Sequence, residues 1–149
     1  MNETDAGQST ETGGVIRGLT WAGHLIDDRL NAALEPHGLS IPKLGVLENL
    51  VLAGEPLALG VLSERLGCVK SNVTQLVDRL ESEALVRRVP DPDDRRSILA
   101  TITDEGRRRY LAGRRAMDEA EGNLLGGLSA QDREHLTGLL GRFLSAQGR

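Results

Sequence analysis

Cysteine, aromatic residues and long apolar runs are scarce in this sequence of 149 residues. A single cysteine excludes an internal disulfide and a paired-cysteine zinc or redox site. Aromatic residues make up 2% of the chain, so the core must be aliphatic. No apolar run approaches the roughly 20 residues of a membrane helix, and the N-terminus lacks the basic and apolar blocks of a secretory signal. These absences favour a cytoplasmic protein that does not associate with membranes.

Catalytic and metal-binding motifs are also missing from the sequence. It contains no glycine-rich phosphate loop, no zinc-protease motif and no nucleophile elbow. His24, His37 and His135 lie far apart, and none has a cysteine or carboxylate at a familiar metal-ligand spacing. The sequence therefore predicts a protein that is not an enzyme and that holds no metal or other cofactor.

Charge is unevenly distributed along the chain, although the formal net charge is only −4. Between Leu85 and Arg115, nine arginines stand against five acidic residues, which gives this segment +4 and leaves −8 for the rest. A uniformly basic surface is excluded, but a local basic patch is not. This asymmetry is the first indication of function.

The spacing of apolar residues predicts a mainly α-helical fold with a small β-hairpin. Residues 1–14 are polar and rich in Ser, Thr and Gly, and we predict them to be a disordered tail. Beyond the tail, the predicted helices cover about 15–35, 41–53, 59–66, 70–83, 104–125 and 130–146. Two β-branched runs, Leu85–Val89 and Ser97–Ile102, predict strands joined by a tip of turn-forming and charged residues.

The central part of this order is typical of a DNA-binding domain. A short helix ends at Leu66, a three-residue turn beginning with Gly67 follows, and an amphipathic helix then leads into the charged hairpin. We interpret residues 40–103 as a winged helix-turn-helix domain. The alternative is a protein-interaction module that has this fold but does not bind DNA.

The amphipathic helix after the turn has the composition of a recognition helix. A helix enters the major groove only if its outer face is small, polar and able to bond to base edges. Asparagine and glutamine pair with adenine, lysine and arginine with phosphate or guanine, and serine and threonine with phosphate or thymine methyls. The candidate double-stranded DNA contacts are Lys70, Ser71, Asn72, Thr74, Gln75 and Arg79. An ordinary solvated helix face is the alternative.

Two stretches, Ser71–Glu81 and Asp91–Ser97, resemble the MarR family of bacterial transcriptional regulators. The stretch at Asp91–Ser97 is similar to the wing signature of that family, Asp-x-Arg-Ser followed by Leu-Thr-x-x-Gly, with Ile102 in place of the usual leucine. The resemblance extends from the first helix to the last. It implies a sequence-specific regulator, a dimeric repressor that a small ligand, often aromatic, releases from DNA.

The resemblance also implies roles for three residues of the wing. Arg96 would enter the minor groove, Asp94 would hold Arg96 in place by a salt bridge, and Arg95 would be a second contact. An arginine is attracted to a narrow minor groove by its concentrated negative potential, without base-specific hydrogen bonds. The alternative is that these charges only keep a loop soluble.

One departure from the family concerns the start of the recognition helix. The residue before it is commonly Ser or Thr, which caps the helix, but here it is Val69. Either Ser71 supplies a substitute bond or the helix start is less well capped.

The flanking helices, residues 15–36 and 104–146, have more apolar surface than a small winged domain needs. We predict that they form a two-fold homodimer, as the resemblance also implies. Its recognition helices would then lie about 34 Å apart, one DNA turn, on a near-palindromic operator. The alternative is a monomer with a helical cap.

Three further residues are candidates for regulation. Trp21 and His24, one helical turn apart, could line a pocket for a small aromatic effector, or they could simply pack. Cys68 precedes the recognition helix near Lys70, and the alternative role for its thiol is oxidant sensing. Packing is the preferred interpretation for Cys68, because free cysteine behaves as a small apolar residue.

Overall fold

The computed structural model describes residues 3–94 and 97–148, with side chains described from residue 13 onward. Six α-helices, a single 3₁₀ turn at Glu35–His37 and three short strands make up these residues. The helices are α1 (Glu3–Leu34), α2 (Ile41–Ala53), α3 (Leu59–Leu66), α4 (Lys70–Ser82), α5 (Asp104–Leu124) and α6 (Ala130–Ala146). The strands are β1 (Leu57–Ala58), β2 (Val86–Pro90) and β3 (Ile98–Ile102). Within the described residues, no helix is both long and apolar enough to cross a membrane.

The first helix is longer than the sequence predicts. α1 begins at Glu3, so most of the predicted disordered tail, residues 3–14, is helical. Once residues 15–34 form a helix, each further residue adds one hydrogen bond without a new nucleation cost. Apolar periodicity detects a packed face, and an extension without such a face leaves no periodic signal in the sequence.

The aliphatic core lies where α2, α3 and α4 meet the end of α1 and the sheet. The inward face predicted for α4 is confirmed, because Val73, Val77 and Leu80 are fully buried and Leu76 is half-buried. α5 closes the core from the other side, where it packs against α1 and α2. The other fully buried side chains include Leu34, Val46, Leu47, Leu62 and Leu85.

The turn between α3 and α4 depends on Gly67. This residue has φ 62°, a left-handed conformation that glycine adopts without a steric penalty. Its N–H donates to the Glu64 carbonyl (3.2 Å), and the Cys68 N–H donates to the Ser63 carbonyl (3.1 Å). These bonds close α3 and allow α4 to start at Lys70, as the sequence predicts.

The three strands form an antiparallel sheet in the order β1-β3-β2. The predicted hairpin is confirmed, with β2 and β3 paired from Val86–Ile102 to Pro90–Ile98. The sequence does not predict β1, which has only two residues, paired with Ala100 and Leu99. A strand of this length has no detectable alternation, and its partner lies about 40 residues away, so no local pattern reveals it.

The start of α5 joins the sheet to α4. The Thr103 Oγ1 accepts from the Gly106 N–H (3.0 Å) and donates to the Ala84 carbonyl (2.7 Å). A Cβ at Gly106 would lie 2.1 Å from the Leu85 carbonyl oxygen. Glycine is normally unfavourable inside a helix, but here it is required, because a side chain would clash with the backbone of Leu85.

The last helix, α6, is well capped but has no buried residue among its described positions. Ser129 and Asp132 form a capping box, in which the Asp132 N–H donates to the Ser129 Oγ (3.1 Å). Hydrogen bonds from the Ser129 side chain and backbone lower the pKa of Asp132. The apolar side of α6 remains exposed, with Leu139 55%, Phe143 43% and Leu144 50% accessible.

Candidate nucleic-acid interface

The two long sides of α4 differ sharply. Its inner side consists of buried aliphatic residues, which fix the helix on the core. Its outer side consists of exposed polar residues: Lys70, Ser71, Asn72, Gln75, Asp78 and Arg79. Five of the six candidate contacts predicted on this helix are thus exposed together on one rigid element.

Thr74, the sixth candidate on α4, differs from the others. It is half-buried, and its Oγ1 donates to the Lys70 carbonyl at 3.0 Å. This internal bond occupies the hydroxyl proton, so the hydroxyl retains only its acceptor capacity. Since phosphate oxygens are acceptors, Thr74 is a poorer phosphate contact than the sequence predicts.

The beginning of α4 has no side-chain cap. Val69 occupies the N-cap position in an extended conformation (φ −69°, ψ 146°), and its side chain forms no capping bond. Only its carbonyl takes part, accepting from the N–H groups of Asn72 (3.0 Å) and Val73 (3.4 Å). The Val69 side chain is 63% exposed, so it is not a core residue either.

The wing tip is held by local hydrogen bonds. The Asp93 N–H donates to the Asp91 carboxylate (2.9 Å), and the Asp91 N–H donates to the Ser97 carbonyl (3.2 Å). The Ser97 N–H donates to the Asp94 carbonyl (2.9 Å), which places exposed Asp94 at the tip. Arg95 and Arg96 lie outside the described residues, so the roles of all three wing residues stay predictions.

Arg88 on β2 links the wing to the recognition helix. Its guanidinium contacts Asp78 and Glu81 on α4, both at 2.6 Å, and its backbone N–H donates to Glu81 at 3.0 Å. The Arg88 side chain is only 24% exposed. The two carboxylates therefore fix the base of the wing relative to the helix that it flanks.

These contacts also shift two pKa values. The N–H of Arg88 and then its guanidinium lower the pKa of Glu81 by hydrogen bonding. Burial alone would lower the pKa of Arg88, but the bonds from Asp78 and Glu81 outweigh burial and raise it. The sequence does not predict this cluster, because its contacts depend on which residue of β2 lies beside which turn of α4.

A cavity of about 470 Å³ separates the wing tip from the start of α4. Lys70 lies on one side, and Asp94 and Ser97 lie on the other. The start of α4 and the wing tip thus lie at the same end of the molecule, where both can approach one duplex. The remaining lining residues are Ala58, Leu59, Gly60 and Ile98.

Comparison with known proteins agrees with this geometry. The family model described as MarR family matches residues 37–97. The HTH-type transcriptional regulator PecS of Dickeya dadantii is 32% identical over 133 residues, which cover 86% of this chain and 78% of PecS. The chain belongs to the MarR family. It is therefore a helix-turn-helix transcriptional regulator and not an enzyme.

Solved structures of MarR proteins share most of this fold. A mutant MarR from Escherichia coli in complex with operator DNA superposes with a TM-score of 0.78 at 24% identity, covering 90% of this chain and 96% of that one. CouR from Rhodococcus jostii, solved with p-coumaroyl-CoA bound, has a TM-score of 0.68 at 30% identity, covering 82% and 85%. The shared fold includes the helices on both sides of the winged domain.

Trp21 and His24, the predicted pocket residues, both lie on α1 but are not among the described residues that line a cavity further along this helix. Both are exposed on α1, Trp21 to 72%. A cavity of about 590 Å³ opens further along the helix, between α1 and α5, and Arg29 is the basic residue among its described lining residues. The other lining residues are Leu25, Ala32, Ala33, Ala120, Asn123 and Leu124. The assignment of Trp21 and His24 to an effector pocket therefore stays a prediction.

Cys68 packs against the core in the turn before α4. Its side chain is half-buried beside the aliphatic cluster, and its N–H is part of the turn that closes α3. This environment supports the preferred packing interpretation. Reaction with an oxidant would place a polar group against aliphatic side chains.

Proposed function

We propose that this MarR-family chain is a homodimeric repressor that binds a near-palindromic operator through α4 and the wing and is released by a small aromatic ligand. The division of α4 into a fully buried aliphatic side and an exposed polar side carries the proposal. The buried side keeps the helix rigid. The exposed side presents groups that recognise base edges and phosphates.

Base reading is assigned to Asn72 and Gln75. They lie one turn apart on the exposed side of α4, close to the end from which a recognition helix enters the groove. Lys70 and Arg79 are both exposed, one at the start and one near the end of α4, where they can reach phosphates. Asp78 would repel phosphates, but its ion pair with Arg88 offsets the charge.

The wing contributes a second, less specific contact. Asp94 lies at the tip beside Arg95 and Arg96, which follow it directly in the sequence. Inserting these arginines into the minor groove would add attraction that depends on groove width more than on hydrogen bonds to bases. Arg88 holds the hairpin that carries them against α4.

A second copy of the chain covers the exposed apolar sides of α1 and α6 in this proposal. α6 has no buried residue among its described positions, and along α1 the side chains of Val15, Ile16 and Ile26 are 62%, 50% and 43% exposed. Apolar surface of this extent on both terminal helices is typical of an oligomer interface. In a two-fold dimer the same surface of both copies forms the interface, so the apolar surface on α1 and α6 of one copy would pack against that of the other.

The effector site in this proposal is the cavity between α1 and α5. It is large enough for a small aromatic molecule, and Arg29 can bond to an anionic group through a charge-assisted hydrogen bond. CouR, which binds p-coumaroyl-CoA, supports a ligand with an aromatic acyl group. Because α1 and α5 support the dimer, a ligand between them would change the spacing of the recognition helices.

Selection of bound duplexes from a random pool tests DNA recognition. We expect a two-fold symmetric consensus with half-site centres about one helical turn apart, and affinity that falls as salt rises. A symmetric site would also identify the dimer as the binding species. Absence of salt-dependent binding to any duplex would contradict the proposal and favour the protein-interaction module.

A titration with aromatic acids tests release by a ligand. An effector should weaken operator binding by roughly 5- to 150-fold, and DNA should weaken effector binding by the same factor. Replacement of Arg29 by glutamine should reduce the effect of acids more than that of neutral phenols. If no compound acts, but diamide abolishes DNA binding of the wild type and not of Cys68→Ser, the oxidant-sensing alternative is correct.

A further inference from the structure

Val69 is an exposed apolar side chain at the end of α4 that is proposed to enter the DNA. It is 63% exposed, whereas Val73, one turn later on the same helix, is fully buried. The residues that follow it, Lys70, Ser71 and Asn72, are exposed and polar. Val69 is thus an apolar group within a polar surface.

Neither helix capping nor core packing accounts for valine at this position. Valine is among the least favoured N-cap residues, since it has no side-chain oxygen to accept from the first N–H groups. Its high exposure shows that it contributes little to the core. Serine would improve the helix start at little cost in packing, so neither role accounts for the methyl groups of Val69.

The position of Val69 relative to Asn72 is informative. Val69 is the N-cap at the very start of α4, where its carbonyl accepts from the N–H groups of Asn72 (3.0 Å) and Val73 (3.4 Å). Lys70, the next residue after Val69, lines the cavity shared with the wing tip. Val69 therefore lies exposed at the end of α4 that is proposed to enter the DNA, directly before Lys70.

We propose that Val69 reads a thymine by contact with its C5-methyl group, at a base pair next to the one bound by Asn72. This inference rests on the proposed DNA-binding function. Thymine is the base that presents a methyl group in the major groove, and apolar side chains recognise it there. Contact would also remove the exposed methyl groups of Val69 from water.

The test uses an operator obtained by selection, in which each thymine is replaced singly by uracil. This replacement removes one methyl group and changes no hydrogen bond. At one position in each half-site, we expect wild-type affinity to fall roughly 3- to 5-fold, the value of one buried methyl group. The Val69→Ala variant should bind the thymine operator more weakly and should not distinguish uracil from thymine at that position.

Two further variants separate recognition from folding. Val69→Ser supplies a helix cap, so its melting temperature should be at least that of the wild type, while the preference for thymine should be lost. Val61→Ala, at a 37% exposed valine of α3, should retain the preference. If Val69→Ala responds to every uracil as the wild type does, the inference is wrong. Failure of the wild type to bind any duplex specifically would overturn the proposed function as well, so the two failures are distinguishable.

Discussion

The winged domain and the C-terminal helix contain similar apolar residues, which are buried in the first and exposed in the second. Leu47, Leu62 and Leu80 of the winged domain are fully buried within one chain, whereas Leu139 and Phe143 of α6 are 55% and 43% exposed. Burying a leucine or phenylalanine contributes about 1.5–3 kcal/mol, which the winged domain gains by itself and α6 does not. The proposed dimer explains this contrast: the buried core of the winged domain lies within one chain, whereas the apolar side of α6 is left for a second copy to cover.

The largest expected effect comes from placing charge on the apolar side of α6. The double substitution Leu139→Glu and Phe143→Glu should convert a dimer to a monomer in sedimentation equilibrium. Affinity for a two-half-site operator should fall by about 10²- to 10⁴-fold, because the second half-site is no longer bound in an intramolecular step.

The matched control is Ser145→Glu, which adds a charge on the opposite side of α6. It should leave both the mass and the affinity unchanged. A double variant that remains dimeric with full affinity would show that α6 does not form the interface.

The next largest effect concerns the close contact inside the winged domain. Gly106→Ala places a Cβ 2.1 Å from the Leu85 carbonyl oxygen and 2.8 Å from the Ile102 side chain. We expect it to lower the free energy of unfolding by about 1–3 kcal/mol or more, measured by urea denaturation. Gly122→Ala in the same helix meets no atom within 4 Å and should be neutral or stabilising. Equal effects of the two substitutions would contradict the packing described at Gly106.

If α4 contacts the bases, removing those contacts should weaken DNA binding by a free energy similar to the stability loss expected for Gly106→Ala, while the stability of the protein is unchanged. Asn72→Ala and Gln75→Ala should each weaken specific operator binding by roughly 1–3 kcal/mol and relax base preference, with little change in non-specific binding. Gln131→Ala, an exposed amide on α6, is the matched control. Wild-type operator affinity in both α4 variants would mean that another element reads the bases.

The wing should contribute less to DNA affinity than α4 does, and its contribution should depend on the salt concentration. Arg96→Ala should reduce the slope of log affinity against log salt by about one unit, since one phosphate-neutralising cation is lost. Asp94→Ala should act in the same direction but less, because an exposed ion pair contributes roughly 0–1 kcal/mol. An effect of Asp94 larger than that of Arg96 would contradict this division of roles.

The smallest effect concerns Arg88 and acid pH. Because the folded pKa of Glu81 lies below the ordinary value for a glutamate, its stabilising contribution is complete above that ordinary pKa and is lost as pH falls through the folded pKa. Arg88→Gln removes the guanidinium but keeps the backbone N–H donor, so the pKa of Glu81 should rise only part of the way. Carboxyl NMR titration measures the shift, and an unchanged pKa would contradict the bridge.

The sequence predicts the winged domain well, because its signals are local. Gly67 ends α3, apolar spacing defines α4, and the turn-forming residues before Ser97 mark the hairpin. Thr103 and Ser129 cap their helices through their own side-chain oxygens, which is also a local feature. These features depend on neighbouring residues and on backbone conformation, which a single sequence carries directly.

Features that depend on packing between distant elements could not be predicted. The two-residue β1 gains its bonds from β3, and the bridge from Arg88 to α4 depends on strand register. The cavity beside Arg29 depends on how α1 crosses α5, so the aromatic ring of Trp21 does not reveal where the cavity opens. The helical residues before residue 15 extend α1 without a packed apolar face, so no periodic pattern in the sequence predicts them.

Hydrogen exchange on the wild type and on the Leu139→Glu/Phe143→Glu variant tests the contrast between the two regions most directly. The winged domain should keep the same amide protection in both proteins, because its buried core lies within one chain. Amides of α6 should be protected in the wild type and exchange freely in the variant. Equal protection of α6 in a monomeric variant, or loss of protection in α2–α4 together with α6, would contradict the proposal that α6, unlike the winged domain, is covered by a second copy.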